Sequence, residues 1–385
     1  MILKLGSPEE VGMSSERIKH LEDLVSSWVD QQVSQAFEFV VARRGVIVSH
    51  KAVGYHTPEL NLPLVKNTIF PLASLTKPIT AAAAMILVEE GALSLNFPVV
   101  QYIPQFTGKD KEKVLIHQLM THTSGLKDED VYAHSKQKQK STDIPPAEIT
   151  QDFDVHSKLF LGYDAPLSNP PGTVMSYCNY GVELLGEIVR IVSGTSLDVF
   201  TRQKIFDPLG MNDTHLIVPE SMHDRVIRRS EEISGGKWFS SREALQRASA
   251  AGGAYSTVSD MVIFGQMLLN RGKYGDVRVL SPLSVIEMTR NQIPGVSSSY
   301  GQEHFAEATY GYCWPVNGNK KDSGDLFSKH AYSCGGAGGV IMAIDPVYET
   351  VQVIFSITET PNDGNQIWFP SRFLFNNVVL AAIEE

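Results

Sequence analysis

Two hairpin-like stretches stand near opposite ends of the chain. Residues 36–55, AFEFVVARRGVIVSHKAVGY, read as two β-branched and aromatic runs around a turn at Arg43-Arg44-Gly45. Residues 338–358, GGVIMAIDPVYETVQVIFSIT, repeat that pattern around Asp345-Pro346. An isolated hairpin is marginal in water, so the two must find partners. The simplest solution is one antiparallel sheet built from both termini. Helical patterns lie outside both pairs. Over Ser14–Gln31, with Ser14 or Ser15 as cap, Ile18, Leu21, Leu24 and Val25 form a stripe. Over Pro370–Glu384, Phe373, Leu374, Val378 and Ala381 are read as one face. These helices are expected to flank the sheet.

The middle has a different character. Helical periodicity marks Thr76–Gly91, Val114–Thr121, Tyr180–Ser193, Leu197–Ile205 and Ser259–Arg271. Long polar stretches, Lys127–Asn169, Glu220–Ala250 and Pro294–Thr309, are read as lids or binding loops that set specificity. The expected fold class is therefore α+β. One catalytic unit has an α+β lobe over roughly 1–73 and 305–385, and an inserted, mostly helical lobe over roughly 74–304.

Charge narrows the partners. With 33 basic and 43 acidic side chains the net charge is −10, which argues against nucleic acid. The one dense basic run, His134–Ser141, reads as a solvated loop. Three cysteines, Cys178, Cys313 and Cys334, show neither metal-ligand spacing nor a disulfide framework. No metal or cofactor is expected. The N-terminal residues show no secretion signal and no apolar run reaches membrane-spanning length, so a cytoplasmic protein with reduced thiols is expected. Oligomeric state leaves no mark in the sequence.

Ser74 and Lys77, in FPLASLTKPITAAAAMILVEEGAL, bear the candidate chemistry. Residues three apart share a helix face, so the lysine can point at the serine hydroxyl. To take its proton the amine must be neutral, which requires burial or nearby positive charge. Free N–H groups at a helix start suit a developing oxyanion. Ser-x-x-Lys alone says little: it also begins at Ser124, Ser135 and Ser234, all in turn-like or polar surroundings. Only Ser74 opens an apolar helix. Tyr177-Cys178-Asn179 is the one Tyr-x-Asn in the chain and precedes another amphipathic helix. Its tyrosine suits proton transfer, and the alternative is a buried tyrosine followed by a capping Asn179. SCGGAGGVIMAIDP, residues 333–346, enters a strand through glycines, either to let a ligand approach the backbone or merely to make a tight strand start.

Together these stretches resemble the serine β-lactamase and penicillin-binding protein superfamily, in particular the class C branch with its family VIII carboxylesterases and D-amino-acid peptidases. PLASLTKPITAAAAMILVEEGALSL, LIHQLMTHTSGL, the run from PPGTVMSYCNYG to FDPLGMNDT, and AAGGAYSTVSDMVIFGQMLLN follow in that family's order over nearly the whole chain. The resemblance implies Ser74 as acylated nucleophile, Lys77 as general base, Tyr177 as proton shuttle and Asn179 holding Lys77 and substrate. It implies backbone N–H groups of Ser74 and Ala337 as the oxyanion hole. The implied activity is hydrolysis of a small-molecule ester or amide; acyl transfer, D-amino-acid peptidase or weak β-lactamase activity, and non-turnover binding or sensing are the alternatives. One departure is plain: the chain has no Lys-Thr-Gly, and Cys334-Gly335-Gly336 stands in that substrate-binding place. A neutral thiol does not replace a cation. His330 and His122 are expected to be surface and structural respectively, whereas Trp238-Phe239 and Tyr310–Trp314 are candidate cleft linings with core packing as the alternative.

Overall fold

The computed structural model describes residues 1–229, 236–300, 303–318, 325–358 and 370–385. A seven-stranded sheet gathers both ends of the chain: β1 (Lys4–Leu5), β2 (Ser34–Arg43), β3 (Val46–Thr57), β4 (Leu62–Pro63), β5 (Tyr332–Gly336), β6 (Val340–Asp345) and β7 (Thr350–Thr358). The order is β1-β3-β2-β7-β6-β5, with β4 also on β3. β2 pairs antiparallel with β7, which joins the two hairpins as their sequence requires. β1 adds a parallel pair on β3. The β2–β3 turn places Arg44 at φ 48 and Gly45 at φ 76, the left-handed pair that a two-residue hairpin turn demands.

Period-two alternation decides the layers. Phe37, Phe39 and Val41 of β2 pack with Ile18, Leu21, Val25 and Trp28 of α1 (Ser15–Asp30) and with C-terminal helix residues. Ala36, Val40 and Ala42 face the opposite way, into the larger core shared with the helical lobe. The Ser14 hydroxyl caps α1 by accepting from the Arg17 N–H.

Four further helices are labelled: α2 (Lys77–Glu89), α3 (Asn179–Ser193), α4 (Val258–Leu269) and α5 (Pro370–Ala381). In α5 Phe375 and Val379, with Ala382 just past its end, are the residues buried against the sheet; Val378 is half-buried against the same core, and Leu374 is exposed. The segment FLFNNVVLAA is apolar on adjacent faces, so spacing alone admits both stripes. Phe373 is not part of the described side chains.

The polar stretch 127–169 is not a plain loop. It contains helices Asp128–Lys138 and Phe153–Gly162. In the first, acidic residues open the helix and lysines close it, matching the helix dipole where little apolar periodicity exists. The basic run at His134 and the Ser135 motif therefore start within this helix. His134 and Lys138 both reach Asp164. Short helices Glu220–Arg225, Gly236–Ser240 and Arg242–Leu245 interrupt the next stretch, and Ser297–Tyr300 with Glu303–Phe305 forms a small hairpin in the third. Ser234 falls outside the described residues. No described helix is long and apolar enough to cross a membrane.

Candidate active site

The serine lies where the sheet edge meets the helical lobe. Ala73–Thr76 forms a tight single-turn helix that runs straight into α2. Ala73 has φ 44, a left-handed conformation that costs a non-glycine residue energy and sits one position before the nucleophile candidate. Pro78 occupies the first turn of α2, where its missing N–H leaves no bond unmade. Residues Lys77 to Leu87 of α2 are all buried, so the lysine rides on a helix with almost no wet face.

Lys77 Nζ donates to Ser74 Oγ at 3.0 Å and to the Ala251 carbonyl at 2.8 Å. The side chain is 1% exposed, and burial pulls the amine down to about 8. Its ammonium lies 4.8 Å from the centroid of the Tyr177 ring. Thus Ser74, Lys77 and Tyr177 are brought together from segments far apart in the chain.

The AAGG segment is the third wall. Thr80 Oγ1 donates to Ala250 O at 2.7 Å, and the Ala254 N–H donates to Thr76 Oγ1 at 3.0 Å. The Glu183 carboxylate accepts from Ser249 Oγ and from the Ala250 N–H. These bonds lace residues 249–254 to α2 and α3, and fix the carbonyl that holds Lys77. Gly253 is required there, since a β-carbon would fall 2.5 Å from the Ser249 nitrogen.

Asn179 lines the cleft with Ser74. Its side-chain amide donates to Asp128 Oδ2 at 2.7 Å, so the amide is tied to Asp128. Asp128 also accepts from the Asn179 and Tyr180 N–H groups and from the Cys178 thiol, capping the start of α3. The Cys178 thiol is buried and pushed far up by that burial, then by the Asp128 charge. His122, at φ 57, accepts the Cys178 N–H on Nδ1 at 3.2 Å and stacks 4.5 Å from Tyr177. Burial holds it down to about 3, so it stays neutral at working pH. It orients the tyrosine motif from behind.

Cys334, Gly335 and Gly336 form the end of β5, the edge strand, and Ala337 is exposed in the turn that follows. The Cys334 thiol lies 3.7 Å from the Ser74 carbonyl oxygen. A β-carbon on Gly336 would fall 2.0 Å from the Leu72 carbonyl oxygen, so only glycine lets the edge strand press this close to the segment entering Ser74. His330 is exposed. Trp238 and Phe239 line the cleft, whereas Tyr310 and Trp314 are buried against His122 and Tyr332.

The cleft beside Ser74 has a volume of about 240 Å³ and is also lined by Lys158, Glu183 and Arg247. The sequence reading passed over Glu183 and Asp128. Glu183 stands four residues after Asn179 on the same helix face, which is a readable signal. Asp128 reaches the site from a surface-like helix start, and nothing local announces it.

The Beta-lactamase family model matches residues 21–376. The chain belongs to the β-lactamase family. It therefore stands among the serine hydrolases of that fold. A putative D-alanyl-D-alanine carboxypeptidase of Salmonella schwarzengrund is 27% identical, over 92% of this chain and 85% of that protein. Two solved structures share the fold. A family VIII carboxylesterase superposes with a TM-score of 0.74 at 18% identity, covering 97% of this chain and 98% of the other. EstCE1, described as a hydrolase with promiscuous acyltransferase activity, gives 0.73 at 19%, covering 96% and 99%.

Proposed function

We propose that this β-lactamase-family chain is a serine hydrolase that cleaves small-molecule esters or amides through an acyl-enzyme on Ser74. The observation that carries the reading is the 3.0 Å contact between Ser74 Oγ and a buried lysine lowered to about 8. When Lys77 is neutral the contact reverses, and the serine hydroxyl donates to the amine. The proton passes to Nζ as Oγ attacks the substrate carbonyl, and the oxyanion is received by the backbone N–H groups of Ser74 and Ala337. The ammonium so formed returns its proton, by way of Tyr177, to the leaving alcohol or amine. Water then attacks the acyl group, gives its proton back to the same pair, and releases the acid. Asn179, held by Asp128, borders the substrate.

The edge-strand position of Cys334 supports esters over carboxylate-ended peptides and β-lactams, since a buried thiol near Ser74 supplies no cation at that place. The test is hydrolysis of p-nitrophenyl butyrate by the wild-type protein and by Ser74→Ala, with intact-mass detection of the acyl adduct. Turnover and an adduct lost together in the variant support the reading. Turnover that persists in the variant, or a wild type with neither turnover nor adduct, overturns it. Added alcohols or amines that divert product from free acid to acylated acceptor would indicate an acyltransferase using the same intermediate.

A further inference from the structure

A second buried cation stands beside this site and takes no part in the chemistry above. Arg229 follows a short pairing in which the Ile227 N–H donates to the Ile69 carbonyl at 2.9 Å. That pairing carries it alongside the segment leading to Ser74. The side chain is 3% exposed, yet Nε, Nη1 and Nη2 have no hydrogen-bond partner among the described residues. A ring lies against it: Cζ is 4.5 Å from the centroid of Phe239. A ring satisfies the face of a guanidinium but none of its five in-plane donors. Burial pushes the group down to about 10, an unusual position for arginine.

The guanidinium touches the turn after the edge strand. A β-carbon on Gly338 would fall 2.2 Å from Nη1 and 2.3 Å from Nη2, so glycine here makes room for the arginine one residue beyond Ala337. On its other side Arg229 lines a cavity of about 1360 Å³. His56 lines that cavity too. The short helix Gly236–Ser240 is the partition: Trp238 and Phe239 face the serine cleft, and Lys237 and Ser240 face the cavity.

We infer that Arg229 forms an anion subsite that takes the carboxylate of a small molecule, in a cavity that His56 also lines and that adjoins the serine cleft. A buried, unpaired guanidinium weakens the fold, and an apolar side chain of similar volume would serve stability better. Its planar fork matches a carboxylate in two parallel hydrogen bonds. The cation arrives from a segment other than the Cys334 strand and from the far side of the Gly338 turn. The inference rests on the proposed hydrolase reading where the carboxylate belongs to the substrate, which then becomes a monoester or monoamide of a dicarboxylic acid.

The experiment compares p-nitrophenyl butyrate with mono-p-nitrophenyl glutarate on the wild type, Arg229→Met and Arg229→Lys, and follows thermal melting of each protein with free glutarate. The wild type is expected to favour the anionic ester, and Arg229→Met to lower the anionic-to-neutral ratio of kcat/KM by about 10- to 100-fold, with Arg229→Lys between. Arg229→Met should melt no lower than the wild type. Glutarate that raises the wild-type melting temperature but not that of Arg229→Met, without any ester preference, assigns the site to a separate carboxylate ligand. A ratio unchanged by Arg229→Met together with no glutarate shift overturns the inference. So does a variant that melts well below the wild type and loses both esters alike, which marks a structural arginine. If the wild type cleaves neither ester, the hydrolase reading fails by itself, and the glutarate melting arm still decides for or against Arg229.

Discussion

The pH dependence of acylation tests the site most directly, because it reads the state of one side chain. Lys77 is lowered by burial from its ordinary 10.5 to about 8. The reactive form is the neutral amine, so the rate follows its fraction. For a midpoint of about 8 that fraction is roughly 1% at pH 6, 9% at pH 7, 50% at pH 8 and 91% at pH 9. kcat/KM for p-nitrophenyl butyrate should therefore climb about tenfold per pH unit up to 7 and level off above 9. The Tyr177 ring, its centroid 4.8 Å from Nζ, closes over the amine. Initial rates between pH 6 and 10, corrected for spontaneous hydrolysis, measure the curve. Lys77→Arg cannot lose its proton and should fall about 10²- to 10⁴-fold at pH 8. A flat profile, or one still rising tenfold per unit at pH 9.5, would remove Lys77 from the role of base.

Three further outcomes follow from the surroundings of the site. Asp128→Ala leaves the Asn179 and Tyr180 N–H groups without their acceptor; it should cost about 1–3 kcal/mol in denaturant unfolding and lower kcat by loosening Asn179. His122 is held neutral to about 3, so its share of stability should decline as acidity increases from pH 6.5 towards 3, and its ring resonances should not titrate above pH 5 in NMR. Gly265→Ala in α4 places a β-carbon 2.5 Å from Val351 Cγ1 on β7; overpacking of about 1–3 kcal/mol outweighs a helix-propensity gain of about 1, so the melting temperature should drop.

The sheet was legible because its two hairpins carry both alternation and turn chemistry, and because neither can stand without the other. The contact between Ser74 and Lys77 was legible because the two are three residues apart, which a helix turn brings together. What lay hidden had no short-range signature. Asp128 meets the start of α3 from 51 residues away, through the Asn179 N–H contact. The buried stripe of α5 could not be chosen from a segment apolar on neighbouring faces. The helix Asp128–Lys138 is defined by charge order rather than by an apolar stripe, so it reads as loop. Nothing local in the sequence marks Arg229; its burial comes from the ring of Phe239 and the glycine of the turn after the edge strand.

The buried Lys77 should also weaken the fold that holds it. At pH 7 Lys77 is mostly charged in both states, but its folded pKa is lowered by about 2.5 units, which corresponds to roughly 3 kcal/mol against folding. Lys77→Met keeps the volume and removes the charge. It forfeits the bonds to Ser74 and Ala251, worth about 1 kcal/mol each at most for a neutral amine, so the net change at pH 7 is a gain of about 1–2 kcal/mol. Between about 8 and 10.5 the unfolded chain holds more protons than the folded one, so wild-type stability rises with pH across that window. The gap between Lys77→Met and wild type should accordingly close on going from pH 7 to pH 10. Denaturant unfolding at both pH values measures it. A variant less stable than wild type at pH 7, with the same deficit at pH 10, would mean that Lys77 is held by its hydrogen bonds as a contented ammonium. The α2 helix, buried from Lys77 to Leu87, would then be a structural core element rather than the device that keeps a lysine basic enough to accept a proton and dry enough to lose one.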